Sequence, residues 1–234
     1  MTALPRCGVV CGFQAEVECL RRALRTTGLD PALFDIAVSG SSANQARTAS
    51  EALARAGCSR LLSFGIAGGL DPAYAVGDVV FSSHVVTPAL ESFGERPPAA
   101  EKPTLRVVGA IRRGTICGID RIVFTPVEKA ELFAATGAAV ADMESHALAR
   151  TAMAHGLPFF ALRAISDGPG DHLPRYVAGA VTTEGAPRLA PILLGLARDP
   201  LSLPQLLRLK TNTDKALAAL EVAAVRLLAS LAAP

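Results

Sequence analysis

The stretch Arg60-Leu61-Leu62-Ser63-Phe64-Gly65-Ile66-Ala67-Gly68-Gly69-Leu70-Asp71 is an apolar run that passes without a break into closely spaced glycines. Arg60–Phe64 has the length and apolar content of a buried strand, and only glycine lets the following backbone pass close to a ligand. A glycine-rich turn at 65–69 would expose backbone amides as an anion-binding concavity, suited to phosphate or to sugar hydroxyls. The plain alternative is a tight turn between two strands. The segment neither matches GxGxxG nor ends in Gly-Lys-Ser/Thr, so a dinucleotide site and a P-loop are both disfavoured.

Outward from this stretch, Gly8–Cys11, Phe34–Val38 and Phe159–Ile165 are further short apolar runs. Between them, Glu16–Leu24, Ala43–Ala56 and Glu144–Ala154 carry apolar residues at helical spacing. Strand and helix therefore alternate, which predicts an α/β fold: a twisted, mixed but mostly parallel central sheet flanked by helices, with ligands at the carboxyl ends of the strands. Gly77–Val86 and Gly114–Gly118 read as additional strands, Arg96–Pro103 as an exposed loop, and the chain from Pro187 as helix broken by Pro200 and Pro204. No fixed-period repeat or clean boundary interrupts the pattern. Residues 1–234 are expected to form one domain ending in a helical segment at about 187–234.

Composition narrows the function. Hydrophobic residues make up 50% of the chain and charged residues 19%, the balance of a packed domain rather than a disordered one. The net charge is only +2 with both signs interleaved, so no broad positive field is available for nucleic acid. Cys7, Cys11, Cys19, Cys58 and Cys117 form no CxxC pair and have no histidine cluster nearby, which leaves them as small buried hydrophobes with no metal site. The apolar run after Pro5 and Arg6 is too short for a signal peptide or a membrane span, so a cytoplasmic location is expected.

Two more strand ends carry polar clusters. Val140-Ala141-Asp142-Met143-Glu144-Ser145 delivers carboxylates at the start of a helix. One reading is capping of that helix by Asp142 and first-turn acids; the other is ribose recognition, with Glu144 accepting from vicinal hydroxyls and Met143 against the sugar face. His146 is ordinary helix composition. Leu162-Arg163-Ala164-Ile165-Ser166-Asp167-Gly168 ends a buried run in an acid. That is tolerated by pairing, for example with Arg163, or by a raised pKa that lets Asp167 hold a proton as a general acid.

Together these segments resemble the purine nucleoside phosphorylase and methylthioadenosine/adenosylhomocysteine nucleosidase family, in order and over most of the chain. Gly8–Val17 looks like its opening strand and acidic turn, Gly65–Gly69 like its glycine loop, and Gly114–Val123 like the stretch that holds the base. Its Met-Glu ribose clamp falls on Met143 and Glu144, and its Arg-x-x-Ser-Asp terminus on Arg163, Ser166 and Asp167. Within the family the resemblance is closest to hopanoid-associated phosphorylases, linked to removing adenine from adenosylhopane. It rests on Ser63–Pro72, on Ala141–His146 and on the short hydrophobic chain as a whole.

The resemblance implies a nucleoside substrate, with Asp167 protonating the purine at N7 and Glu144 binding ribose hydroxyls. Ser166 would orient Asp167, and Ile122 and Val123 would flank the base. Phosphate or water would attack from the glycine side, at Gly68 and Gly69, with Arg163 as charge partner for phosphate and Glu16 as base for water. Phosphate is the expected co-substrate, and no other cofactor is. The alternatives are a hydrolytic methylthioadenosine/adenosylhomocysteine nucleosidase and a nucleoside-binding protein without catalysis, the latter disfavoured by the acid at position 167. Two departures stand out: Ile66 replaces a serine of the nucleosidases, and Ile122 replaces their adenine-stacking aromatic. Family members are oligomeric, so a homo-oligomer is expected. The apolar stripe in Asp214–Leu231 is expected to be core, a subunit contact or a peripheral membrane contact serving a hopanoid-tailed substrate.

Overall fold

The computed structural model describes residues 5–40, 42–94, 111–180, 182, 185, 186 and 188–232, with side chains to residue 228; the expected loop Arg96–Pro103 lies outside them. The amino-terminal half alternates strongly: β1 (Cys7–Cys11), α1 (Gln14–Thr27), β2 (Phe34–Val38), α2 (Ala43–Arg55) and β3 (Arg60–Gly69). Short strands follow: β4 (Val79–Ser82), β5 (Val85–Val86), β6 (Ser92–Phe93), β7 (Ile111–Arg113) and β8 (Ile116–Gly118). The chain then forms α3 (Pro126–Thr136), β9 (Val140–Asp142), α4 (Ser145–His155), β10 (Phe159–Asp167), α5 (Leu189–Arg198) and α6 (Leu203–Ala232).

The expected α/β architecture is present. β3 is its axis: its first half pairs in parallel with β1, its last two residues pair antiparallel with β9, and β10 runs parallel along its other edge. Beyond β10 the sheet continues antiparallel to β4, and on the other side β9 pairs in parallel with β8. β3 and β10 are buried along most of their length, as expected of strands covered on both faces. Helices α1 and α6 cover one face and α2 and α4 the other.

The glycines differ from the expectation. Gly65, Gly68 and Gly69 are strand residues opposite Arg163, Asp167 and Val140, not a turn, and none of them has positive φ. The expected turn is thus a strand, within which the amide of Ile66 donates to Glu16 Oε1 at 2.7 Å. Gly77–Val86 splits into β4 and β5, because Ser82 Oγ donates to His84 O (2.8 Å) and accepts from His84 N (3.0 Å), turning the chain between them. Pro200 does separate α5 from α6, but Pro204 stands in the first turn of α6, where no intrahelical donor is lost, and the helix runs through it.

Helix α3 was not anticipated. Thr125 and Glu128 form a reciprocal capping box, Pro126 opens the helix and Gly137 closes it at φ 63°. At the end of the chain, Ala216, Leu220, Ala223, Ala224 and Leu228 of α6 pack in the core with Leu20 and Leu24 of α1. Of the stripe in Asp214–Leu231, Leu220, Ala224 and Leu228 are therefore core and Leu217 and Leu227 pack against it half-buried, while Val222 is exposed.

Candidate active site

The ends of β3 and β10 lie side by side, and their register slips by one residue between Ile165 and Asp167. Such a bulge re-aims the side chain that follows it. Ser166 Oγ lies between the Ala67 carbonyl (3.3 Å) and Asp167 Oδ1 (3.0 Å), fixing the carboxyl group from one side. From α3, the fully buried Lys129 donates to Asp167 Oδ2 and to the Gly168 carbonyl at 2.6 Å. Burial raises the pKa of Asp167, and the Lys129 ammonium opposes that rise. Gly68 leaves room for this carboxyl group, since a Cβ there would stand 3.3 Å from Oδ2.

Four residues earlier on β10, Arg163 is just 1% exposed. Its Nε meets Asp142 Oδ2 at 2.6 Å, and its terminal nitrogen meets Glu144 Oε2 at 3.1 Å and Ser63 Oγ at 2.5 Å. Asp142 also accepts from Ser145 N (3.0 Å), so it caps α4. Asp142 thus ties down the start of α4, at which Glu144 is the N-cap position, and both acids line the same cavity.

Glu16 sits in the first turn of α1 and accepts from the backbone N–H groups of Gly12 (2.7 Å), Phe13 (3.0 Å) and Ile66 (2.7 Å). Burial raises its pKa, while Arg163 and the three amides oppose the rise. Burial also raises Glu144, to about 8, with Arg163 opposing and the carboxylates of Asp142 and Glu16 adding to it. The acids at 16 and 144 flank Gly12, where a Cβ would lie 3.2 Å from Glu144 Oε1 and 3.5 Å from Glu16 Oε2. Gly65 is equally constrained, because a Cβ would meet Glu16 Oε1 at 2.3 Å and Arg163 Nη1 at 2.5 Å. The glycine motif serves this close approach of side chains to a bare strand.

These groups line one cavity of about 530 Å³, within the ~300–1,000 Å³ range typical of small-molecule sites. Glu16, Glu144, Ser166, Asp167 and Lys129 are among its polar lining, which also includes Asp142, Arg121 and, from α6, Lys210, Thr213 and Asp214. Ile122, Val123, Met143 and Gly68 also line it, with Ile66, as do Val177, Ile192, Leu206 and Leu209. Of the residues named from sequence, Gly69 and Arg163 are not in the lining. A Cβ on Gly69 would point at Ile165 (3.1 Å) and the Asp167 carbonyl (3.2 Å), away from the cavity. Arg163 lies beneath the site with Asp142 and Glu144, not beside Asp167, whose cation is Lys129. Lys129 escaped the sequence reading: the capping box at Thr125–Glu128 could have announced its helix, but not a contact 38 residues along the chain.

Residues 26–198 match the sequence model of the Phosphorylase superfamily. The chain belongs to that superfamily. Solved structures with the same fold include methylthioadenosine/adenosylhomocysteine nucleosidase from Neisseria meningitidis, with TM-score 0.66, 18% identity, and coverage of 97% of this chain and 100% of that one. The corresponding Helicobacter pylori nucleosidase has TM-score 0.61 and 14% identity over 94% and 97% of the two chains. Futalosine hydrolase of Helicobacter pylori has TM-score 0.57 and 17% identity over 70% and 88%. No curated protein matches the chain.

A member of this superfamily is an enzyme of N-glycosidic bonds. Among the described residues no group of three or more His, Cys, Asp or Glu could hold a metal ion. The five cysteines are free and buried, as read from the sequence. No helix among the described residues is long and apolar enough to cross a membrane.

Proposed function

We propose that the protein hydrolyses the N-glycosidic bond of an adenine nucleoside with an apolar 5′ substituent, adenosylhopane being the substrate suggested by the sequence resemblance. The observation that carries this reading is the meeting of Glu16, Glu144 and Asp167 in one cavity that the aliphatic side chains of Val177, Ile192, Leu206 and Leu209 also line. The structural neighbours that act on, or are bound to analogues of, methylthioadenosine support an adenine nucleoside as the core of the substrate.

Asp167 gives its proton to N7 as the C1′–N9 bond breaks and the bonding pair leaves with adenine. Water forms the new bond to C1′ and loses a proton to Glu16. Glu144 accepts hydrogen bonds from the ribose hydroxyls, and proton transfer of this kind contributes about 10²–10⁴-fold.

Water is favoured over phosphate by the electrostatics of the nucleophile's side. A phosphate ion needs converging cations and donors. Arg163 is instead committed to Asp142 and Glu144 below the floor, Glu16 adds a further acid, and Ile66 presents a hydrocarbon side chain. Val177, Ile192, Leu206 and Leu209 suit an aliphatic 5′ group.

Incubation with adenosylhopane, methylthioadenosine and adenosylhomocysteine, with and without phosphate, tests the reading by quantifying adenine and sugar product. Adenine and a free sugar are expected in both conditions, fastest from adenosylhopane. A sugar 1-phosphate formed only with phosphate would refute the nucleophile, and no adenine from any nucleoside would refute the function.

A further inference from the structure

Helix α5 has an unusual outer face. Its sequence from Leu189 to Ala197 contains no polar side chain, and one side faces outward through Leu189, Ala190, Leu193, Leu194 and Ala197. Leu189 is 68% exposed, Leu193 63% and Leu194 59%. The strip continues into the connection to α6, where Leu201 is 89% exposed. Scattered exposed leucines are common, but a continuous strip marks an interaction surface.

The helix is held in this orientation. Gly195 packs against the ring of Tyr176, where a Cβ would meet ring carbons at 2.2–2.3 Å, and Tyr176 Oη lies 2.9 Å from Ser202 Oγ. The opposite side of α5 carries Ile192, which lines the active-site cavity together with Leu206 and Leu209 of α6. A single helix thus has one side on the cavity and the other, wholly apolar, toward the surroundings.

We propose that the outer face of α5 and the exposed Leu201 dock on the surface of an anionic lipid bilayer, with the cavity on the opposite side of the same helix. Charge complementarity favours lipid over a second copy of the chain. From Arg188 to Asp214 the sequence has four cations, Arg188, Arg198, Arg208 and Lys210, against two carboxylates, Asp199 and Asp214. Arg208 and Lys210 are paired with Asp171 and Asp214, whereas Arg188 and Arg198 bracket the apolar strip at its two ends. Basic residues beside an apolar helix face are the pattern of interfacial binding, and the absence of a membrane-crossing helix among the described residues makes the contact peripheral. The delivery role rests on the proposed apolar 5′ group: a lipophilic nucleoside would pass from bilayer to cavity along Ile192 and Leu206 without entering bulk water.

Sedimentation of the full chain with phosphatidylcholine vesicles, with and without phosphatidylglycerol, tests the face with no nucleoside present. Wild type is expected to bind vesicles containing phosphatidylglycerol. The Leu193→Glu/Leu194→Glu variant should lose about tenfold or more in partitioning, on the scale of burying two leucines, while keeping the wild-type circular dichroism and melting curve. Met153→Glu on α4, another exposed hydrophobic position, should bind as wild type does. Absence of wild-type binding, equal binding by the double variant, or a halved mass of that variant in light scattering would overturn the proposal, the last by showing a subunit contact. Vesicle binding without adenine release from any nucleoside would instead refute only the chemistry.

Discussion

The ammonium of Lys129, on α3, donates to the carboxyl group of Asp167 at the end of β10, and neither side chain has more than slight contact with solvent. The proposed acid for the leaving base therefore lies beside a buried cation that holds down a pKa raised by burial. Asp167 can donate only while protonated, so turnover falls as pH rises through its pKa. Lys129→Met removes the lowering influence and moves that pKa further up. The alkaline limb of kcat/KM should shift to higher pH, as read from adenine release across a pH series. A lysine that merely packs would change the rate without moving the limb.

Gly65→Ala should cost activity out of proportion to its size. The added methyl would stand 2.3 Å from Glu16 Oε1 and 2.5 Å from Arg163 Nη1, so both groups must move. Overpacking of this kind costs about 1–3 kcal/mol, and the urea midpoint should fall by a matching amount while kcat drops sharply. Gly170→Ala, whose Cβ meets nothing within 4 Å, is the control and should behave as wild type.

The buried acid at 144 gives stability a defined dependence on pH. Its pKa is raised from 4.5 to about 8, so between those values the folded protein holds a proton that the unfolded chain has released. Its contribution is fully present below the unfolded value and is lost as pH rises through the folded one, by up to about 1.4 kcal/mol per pH unit. Urea midpoints measured from pH 5 to pH 8 should decline, and Glu144→Gln should flatten that decline. An unchanged slope in the variant would mean that Arg163 keeps the carboxylate ionised throughout.

Ile122→Phe should tighten binding of adenine nucleosides. Ile122 lines the cavity, and an aromatic ring there would stack on the base where the aliphatic chain only touches it. Aromatic pairs gain about 0.5–1.5 kcal/mol beyond area burial, so KM for methylthioadenosine should fall severalfold with kcat little changed.

The sequence was most legible where buried strands end in polar residues. The runs ending near Phe64, Asp142 and Asp167 could be read because apolar strands rarely close on acids without a reason, and Glu144, Ser166 and Asp167 do meet in one cavity. The glycines at 65–69 were misread as a turn, since a glycine spared for a neighbouring side chain looks the same in sequence as one needed for positive φ. The resemblance implies Arg163 at the nucleophile, but three-dimensional pairing with Asp142 and Glu144 takes it below the floor. The bulge at Ser166 and the contact of Lys129 with Asp167 depend on strand register and helix docking, which local periodicity does not encode. Likewise, the apolar run at 189–197 read correctly as helix, while its exposure follows from how Gly195 seats on Tyr176.

The most direct measurement is the single-turnover rate of adenine release from adenosylhopane by wild type and by Asp167→Asn, alongside the dissociation constant of the nucleoside for each. The variant should bind within about threefold of wild type yet release adenine ~10²–10⁴ times more slowly, the signature of a group that acts in the transition state. Equal rates of release would remove Asp167 from the chemistry and with it the proposed acid-assisted cleavage.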